Sequence, residues 1–196
     1  MIRLAFVIHF NRTWLGGMNV IFNLINTIQN YKNTKSKIEI ILFTNSKKKI
    51  KKFKLDKNVK IIEDQEFFKQ NIFIKVIDKI FLIFTGKTIF LEKFLLKYKI
   101  NYISHTTLVT GNKSFTKSII WIPDFQYLYF PKFFSLKYKI LKKINLKIYK
   151  NHAYKILLSS NEAKKDLKKI CNISTNKILV NRFTFNLPKY NKLKNF

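Results

Sequence analysis

The sequence has 196 residues, 47% of them hydrophobic, with 39 basic against 10 acidic side chains and a formal charge of +29. That length and apolar content suit one α/β domain with a buried core and exclude wholesale disorder. All but three of the basic residues are lysine, and lysine, isoleucine, asparagine and phenylalanine together fill 105 positions. Each of the four can be written with A and T alone, so an AT-rich genome produces this charge by itself, and the charge alone is no nucleic-acid signature.

Taken in chain order, residues 4–8 form a short apolar run of the kind buried in a parallel strand. After a loop over 9–17, apolar residues recur at Val20, Ile21, Leu24, Ile25 and Ile28, one face of a helix ending near Tyr31. Strands are expected at 38–43 and 59–62, with the lysine-rich stretch 47–57 as a solvated connection between them. Residues 67–84 and 89–98 have helical spacing. Strands at 102–103 and 119–122 flank a long loop over 105–117. Pro131 is placed to open a helix reaching about Asn151. A strand at 156–158 follows, then a helix through Ile170 capped by Asn161, and a final strand over 178–185. Strands alternating with helices predict a single Rossmann-like, doubly wound, mainly parallel sheet with helices on both faces. The domain is expected to span 1–188, with a Lys/Asn-rich tail at 189–196.

The chain reads as cytoplasmic. Its one cysteine, Cys171, forms no intrachain disulfide and sits where a small apolar side chain fits at a helix end. The first apolar run is too short for a signal peptide, and the stretch 72–84 is interrupted by Lys75, Asp78 and Lys79, too soon to span a bilayer. His9, His105 and His152 are widely spaced, so no metal site is expected; His9 closes the first strand beside a cleft, and the other two read as surface or loop residues.

Two stretches carry chemistry. Gly16 and Gly17 sit side by side where the first strand hands over to a helix, followed by Asn19. Glycines there admit a ligand close to the backbone, and the free N–H groups of a helix N-terminus attract phosphate or carboxylate; a tight turn needing positive φ explains them equally. The pattern is not GxGxxG, so a dinucleotide fingerprint is unsupported. The second stretch runs Trp121-Ile122-Pro123-Asp124-Phe125-Gln126-Tyr127, between a buried strand and a helix. Asp124, Gln126 and Tyr127 offer a carboxylate, an amide and a phenol, groups suited to hydroxyl-rich ligands, with Asp124 as a base. The same residues also fit a Pro-bounded turn whose aspartate caps backbone groups.

Together these stretches resemble bacterial group 1 glycosyltransferases. Trp14-Leu15-Gly16-Gly17-Met18-Asn19 with Asn23-Leu24 is similar to their GG-x-N-Y-x-x-N-L segment, and residues 121–134 to their W-I-P-D-F-Q-H-x-x-x-P-x-F-F segment. Residues 156–166 resemble the family's ILSS-x-x-A-x-x-D element, and 178–183 its I-x-V-x-R-F strand. The departures are local: Val20 stands for a tyrosine, Phe22 for an arginine and Tyr127 for a histidine.

The resemblance implies the N-terminal, acceptor-side half of a GT-B fold, in which two Rossmann-like domains face a cleft. It implies transfer of a sugar from a nucleotide-sugar donor, a co-substrate rather than a cofactor, to a glycan or lipid-linked acceptor, as in cell-surface polysaccharide synthesis. Asp124 would be catalytic, with Gly16, Gly17, Asn19, Gln126 and Tyr127 binding substrate. The family's second sheet and E-x7-E donor motif are not in these 196 residues, so a truncated or split enzyme, inactive without a donor-binding chain, is expected. A basic helix over 130–143 allows peripheral contact with an anionic membrane, although lysines are dense everywhere in the chain. The rival reading is a basic nucleic-acid or membrane-surface binding protein; with arginine scarce and no recognition motif, nucleic-acid binding is expected to be non-specific and salt-sensitive.

Overall fold

Every strand of the sheet runs in the same direction, which places all strand-to-helix loops on one edge. The computed structural model describes residues 1–10, 15–31 and 37–182. Among these, β1 (Ile2–Ile8), β2 (Ile38–Thr44), β3 (Lys60–Glu63), β4 (Tyr102–Thr106), β5 (Lys117–Ile122), β6 (Lys155–Leu158) and β7 (Ile178–Val180) form a parallel sheet in the order β3-β2-β1-β4-β5-β6-β7. The order reverses between β1 and β4. In open α/β sheets that reversal opens a crevice at the carboxyl ends of the strands.

The helices are α1 (Leu15–Asn30), α2 (Lys47–Ile50), α3 (Gln65–Phe68), α4 (Ile72–Thr85), α5 (Phe90–Lys97), α6 (Gln126–Tyr129), α7 (Leu136–His152) and α8 (Asn161–Ile170). Alternation along β1 assigns them to the two faces. Phe6 and Ile8 pack with Ile21 and Ile25 of α1, while Ala5 points the other way, with Ile103, toward Leu95 of α5. Farther along that second face, Ile120 of β5 and Ile156 of β6 pack with Leu146 of α7 and Leu167 of α8. The doubly wound α/β architecture read from the sequence is the one observed.

Several boundaries differ from the sequence reading, each for a local reason. The helical spacing over 67–84 is broken in two because Asp64 and Asn71 each cap a helix, accepting from the Phe67 and Phe73 N–H groups at 2.8 and 3.2 Å. The stretch 47–57 is more than a solvated connection: Ser46 caps α2, Ile50 is buried, and Phe53 stacks on Phe22 at 4.0 Å. Pro131 opens only a 3-10 turn over Pro131–Phe133, and α7 starts at Leu136 with Ser135 as its cap. Ser160, not Asn161, caps α8, accepting from the Ala163 N–H at 3.0 Å. The last strand ends at Val180; residues 183–185 of the expected strand, the domain limit at 188 and the tail 189–196 lie outside the described residues.

The connection from β4 to β5 is ordered by two features. The pairing register shifts between Ser104 and Thr106, so His105 is the extra residue of a β-bulge, with φ of 51°. Farther on, Gly111 has φ of 126° and lies so close to Gly86, the left-handed C-cap of α4, that a Cβ would overlap the Gly86 carbonyl. Glu92 of α5 holds the same loop, accepting from the Ser114 hydroxyl at 2.9 Å and the Phe115 N–H at 2.7 Å.

Candidate functional site

A cavity of about 720 Å³ occupies the reversal point, bounded by the ends of β1, β4 and β5. Its size falls within the range of small-molecule sites. Its walls come from both layers: Met18 and Ile21 of α1, Phe67 of α3, Lys75 and Lys79 of α4, and Asn145 and Tyr149 of α7.

His105 lies at its floor. The bulge sends this side chain into the interior, where it packs against Trp121 at 5.2 Å and Phe6 at 5.9 Å between ring centroids. Its Nδ1 lies 3.0 Å from the Ser104 hydroxyl. Burial lowers its pKa from 6.5 to about 4, so the imidazole is neutral at physiological pH. A group with that pKa is a poor proton acceptor there but a good hydrogen-bonding anchor. Here the sequence expectation of a surface or loop histidine is corrected, because the bulge, not the strand's alternation, sets its direction. His152 is half-buried on α7, its pKa lowered by burial and then by Lys177. His9 does line the cavity, with its ring stacked on Phe68 at 5.1 Å.

The remaining polar groups are held firmly. Trp121 donates its indole N–H to Ser159 Oγ at 3.0 Å, which fixes the ring beside His105. Burial pushes the Tyr149 phenol up to about 12, so it stays protonated. Asp78 of α4 is buried and accepts three N–H groups from the start of α5, those of Ile89 and Phe90 at 2.8 Å and of Leu91 at 2.9 Å. That carboxylate serves structure, and the charge presented to the cavity by α4 is that of Lys75 and Lys79. Aromatic and apolar walls with scattered hydroxyl, amide and ammonium groups suit a polyhydroxylated or anionic ligand.

The residues singled out in the sequence lie on the same edge but outside the cavity wall. Gly16, exposed, and Gly17, buried, belong to the first turn of α1; Gly16 has open space around it and no positive φ, so no tight turn requires it. Asn19 is exposed. Across the switch point, Asp124 is exposed and its Oδ1 accepts the Gln126 N–H at 3.1 Å, a local turn. Gln126 is exposed at the start of α6. Tyr127 is half-buried against Phe125, Phe134 and Tyr138, and its pKa is raised by burial and then by Tyr138. The parallel sheet thus brings the two loops to one edge, while buried His105 and Tyr149, half-buried Asn145 and the exposed Lys75 and Lys79 line the cavity.

Cys171 packs against the core beside α8, as its position suggested. Among the described residues no group of three His, Cys, Asp or Glu side chains forms a metal site, and no helix is long and apolar enough to cross a membrane.

No family model matches the sequence, and no curated protein does. Solved structures do match. HepE from Anabaena in complex with UDP and glucose aligns over 94% of this chain and 45% of its own, with a TM-score of 0.54 and 10% identity. The complex of HepE with UDP-glucose gives a TM-score of 0.51 at 8% identity, again over 94% of this chain and 44% of that one. A glycosyltransferase from Rickettsia africae aligns over 92% of this chain and 42% of its own, at 14% identity and a TM-score of 0.48. The chain therefore spans a little under half the length of these proteins, and its Rossmann-like sheet and layered helices are the fold of about half of HepE.

Proposed function

We propose that this chain is the acceptor-side half of a glycosyltransferase of the group 1 type. It would move a hexose from a nucleotide-sugar donor to a glycan or a lipid-linked acceptor in the cytoplasm, for cell-surface polysaccharide synthesis. The observation that carries the reading is the cavity at the switch point of a sheet whose fold recurs in half of HepE, captured with UDP-glucose. A lipid-linked acceptor would also bring the chain to the inner face of the membrane.

In this reading the chain supplies one wall of an interdomain cleft. The acceptor sugar enters the cavity, its apolar face on the aromatic wall and its hydroxyls toward Asn145, Tyr149 and the neutral His105. Asp124, at the rim, takes the proton from the attacking hydroxyl, with Gln126 and Tyr127 beside it. The N–H groups at Gly16 and Gly17 face the donor phosphates. A second, donor-binding domain grips the nucleotide and closes the cleft, which positions the reacting atoms and excludes water.

The test assays the purified 196-residue chain against a panel of nucleotide sugars, alone and with a donor-binding domain. No turnover is expected alone and turnover is expected with the second domain. In the active pair, Asp124→Asn should lower turnover by about a hundredfold or more, while Lys168→Ala on α8 leaves it unchanged. Turnover by the chain alone would overturn the half-enzyme reading, and an unaffected Asp124→Asn pair would overturn the assignment of Asp124.

A further inference from the structure

Helix α4 carries an apolar face that none of the described residues covers. Asp78 and Leu82, buried on one side, hold the helix to the protein. On the other side Phe73, Val76, Ile77, Ile80 and Phe84 are exposed and fall within an arc of about 100°. The charged residues of the helix, Lys75, Asp78 and Lys79, lie outside that arc, so in a chain with 39 basic residues this face is free of charge. Phe73, at 71% exposure, and Phe84, at 84%, stand at its two ends. An apolar patch of this kind on a surface marks an interaction site.

The order of the residues identifies the occupant. Phe73, Ile77, Ile80 and Phe84 are spaced four, three and four apart, the a/d spacing of a seam that packs against another helix. The seam also reads the same from either end: phenylalanine, isoleucine, isoleucine, phenylalanine. Two copies of α4 laid antiparallel about a two-fold axis therefore set Phe73 against Phe84 of the second copy, and Ile77 against its Ile80. A two-fold interface demands that reciprocity, in which residue i meets j and j meets i. A bilayer makes no such demand, and a helix seated on an anionic one is rich in lysine. Depletion of charge with enrichment of aromatic residues is the composition of a protein interface core. Val76 and Ile83 flank the seam on one side and Phe81 on the other, all exposed. Seam and flanks expose on the order of 800 Å² per copy, the scale each partner brings to a standard stable interface.

We propose that the chain forms a two-fold homodimer through α4, with the two helices antiparallel and their Phe73, Ile77, Ile80 and Phe84 seams in contact. Lys75 and Lys79, beside the cavity, lie outside the seam, so each copy keeps its own cavity. Affinity of roughly micromolar order is expected for an interface of this size, and below that concentration the chain is a folded monomer. The inference stands whether or not the chain transfers sugar.

Sedimentation velocity over a concentration series, at low and high salt, tests it. Each copy carries a formal charge of +29, so salt should tighten the dimer by screening that repulsion, whereas it would loosen a contact held by charge. Ile77→Glu and Ile80→Lys, both at exposed positions, should each weaken self-association by about a hundredfold or more, because either dimer buries unpaired charges. Mixed in equal amounts the two variants should associate again, since the antiparallel register sets the new carboxylate against the new ammonium. Phe133→Ser, at a phenylalanine as exposed as Phe84 but outside the seam, should leave the dimer unchanged. The proposal fails if wild type stays monomeric at about 100 μM, if Ile77→Glu dimerises like wild type, or if salt dissociates the dimer. A mixture of the two variants that stays monomeric overturns the antiparallel register. A monomer that pellets with lipid vesicles, and loses them on Ile77→Glu, assigns the face to lipid and overturns the dimer.

Discussion

The two ends of one sheet face follow opposite rules. Over β5 to β7, α8 lays Ala163 and Leu167 into an apolar core and leaves its lysines in water. Over the reversal between β1 and β4, α4 buries an aspartate, borders the cavity with two exposed lysines and turns its phenylalanines outward. Both helices bury an aspartate, but to different ends. Asp166 of α8 accepts from the Tyr129 hydroxyl and ties α6 to the core, whereas Asp78 of α4 caps α5. The lesson is that a helix need not bury its apolar side when a polar group can anchor it. Three N–H bonds to one buried carboxylate, with a single leucine, hold α4 in place and free its other face.

Three measurements would break or sharpen that contrast. Leu167→Ala, at a position with no exposure, should cost about 3–4 kcal/mol in denaturant unfolding, the usual price of a leucine-sized core cavity. A loss under about 1 kcal/mol would mean that the α8 region is no conventional core.

The polar end should respond to acid. Because burial holds the folded His105 pKa near 4 against 6.5, the unfolded chain binds a proton between those values that the folded chain refuses. Its contribution is therefore intact above about pH 6.5 and lost as pH falls toward 4, amounting to about 3 kcal/mol. His152, lowered by burial and by Lys177, acts in the same direction. Thermal melts across that window should show a smaller loss for His105→Gln than for wild type. Parallel curves would remove His105 as the cause.

The smallest effect is expected on the outer side of α4. Phe84→Ser, at 84% exposure, should change stability by no more than about 0.5 kcal/mol. A core-sized loss there would show that this face is covered within the isolated chain and would end the contrast with α8.

The fold was largely legible because strand and helix periods are local properties. Residues 4–8, 38–43, 119–122 and 156–158 are, Glu39 apart, apolar on both sides, as suits strands buried between helices, and each lies within an observed strand. The helix breaks at Asp64 and Asn71 were missed because the hydrophobic spacing runs across them, and a cap forms only once its side chain meets the backbone. That Gly16, Gly17 and Asp124 share the carboxyl edge of the sheet was legible too, since each follows an apolar strand. The interior of the site was not. His105 enters the cavity through a one-residue bulge whose register depends on β5, and the exposed Lys75 and Lys79 border it from a helix whose larger apolar face is also exposed. The hydrophobic pattern locates a helix's apolar face but not what that face meets.

The contact between Gly86 and Gly111 limits how far this sequence can drift. Every glycine codon begins with two G bases, so a nucleotide composition drawn toward A and T works against keeping them, and the chain has only four. At position 111 every amino acid one base away from glycine adds a Cβ that would overlap the Gly86 carbonyl, at a φ that side chains rarely adopt. The substitution would push the β4–β5 loop off the C-terminus of α4 and take the cavity wall with it. One backbone contact therefore couples the β4–β5 loop to the C-terminus of α4, and any side chain at position 111 would have to break it.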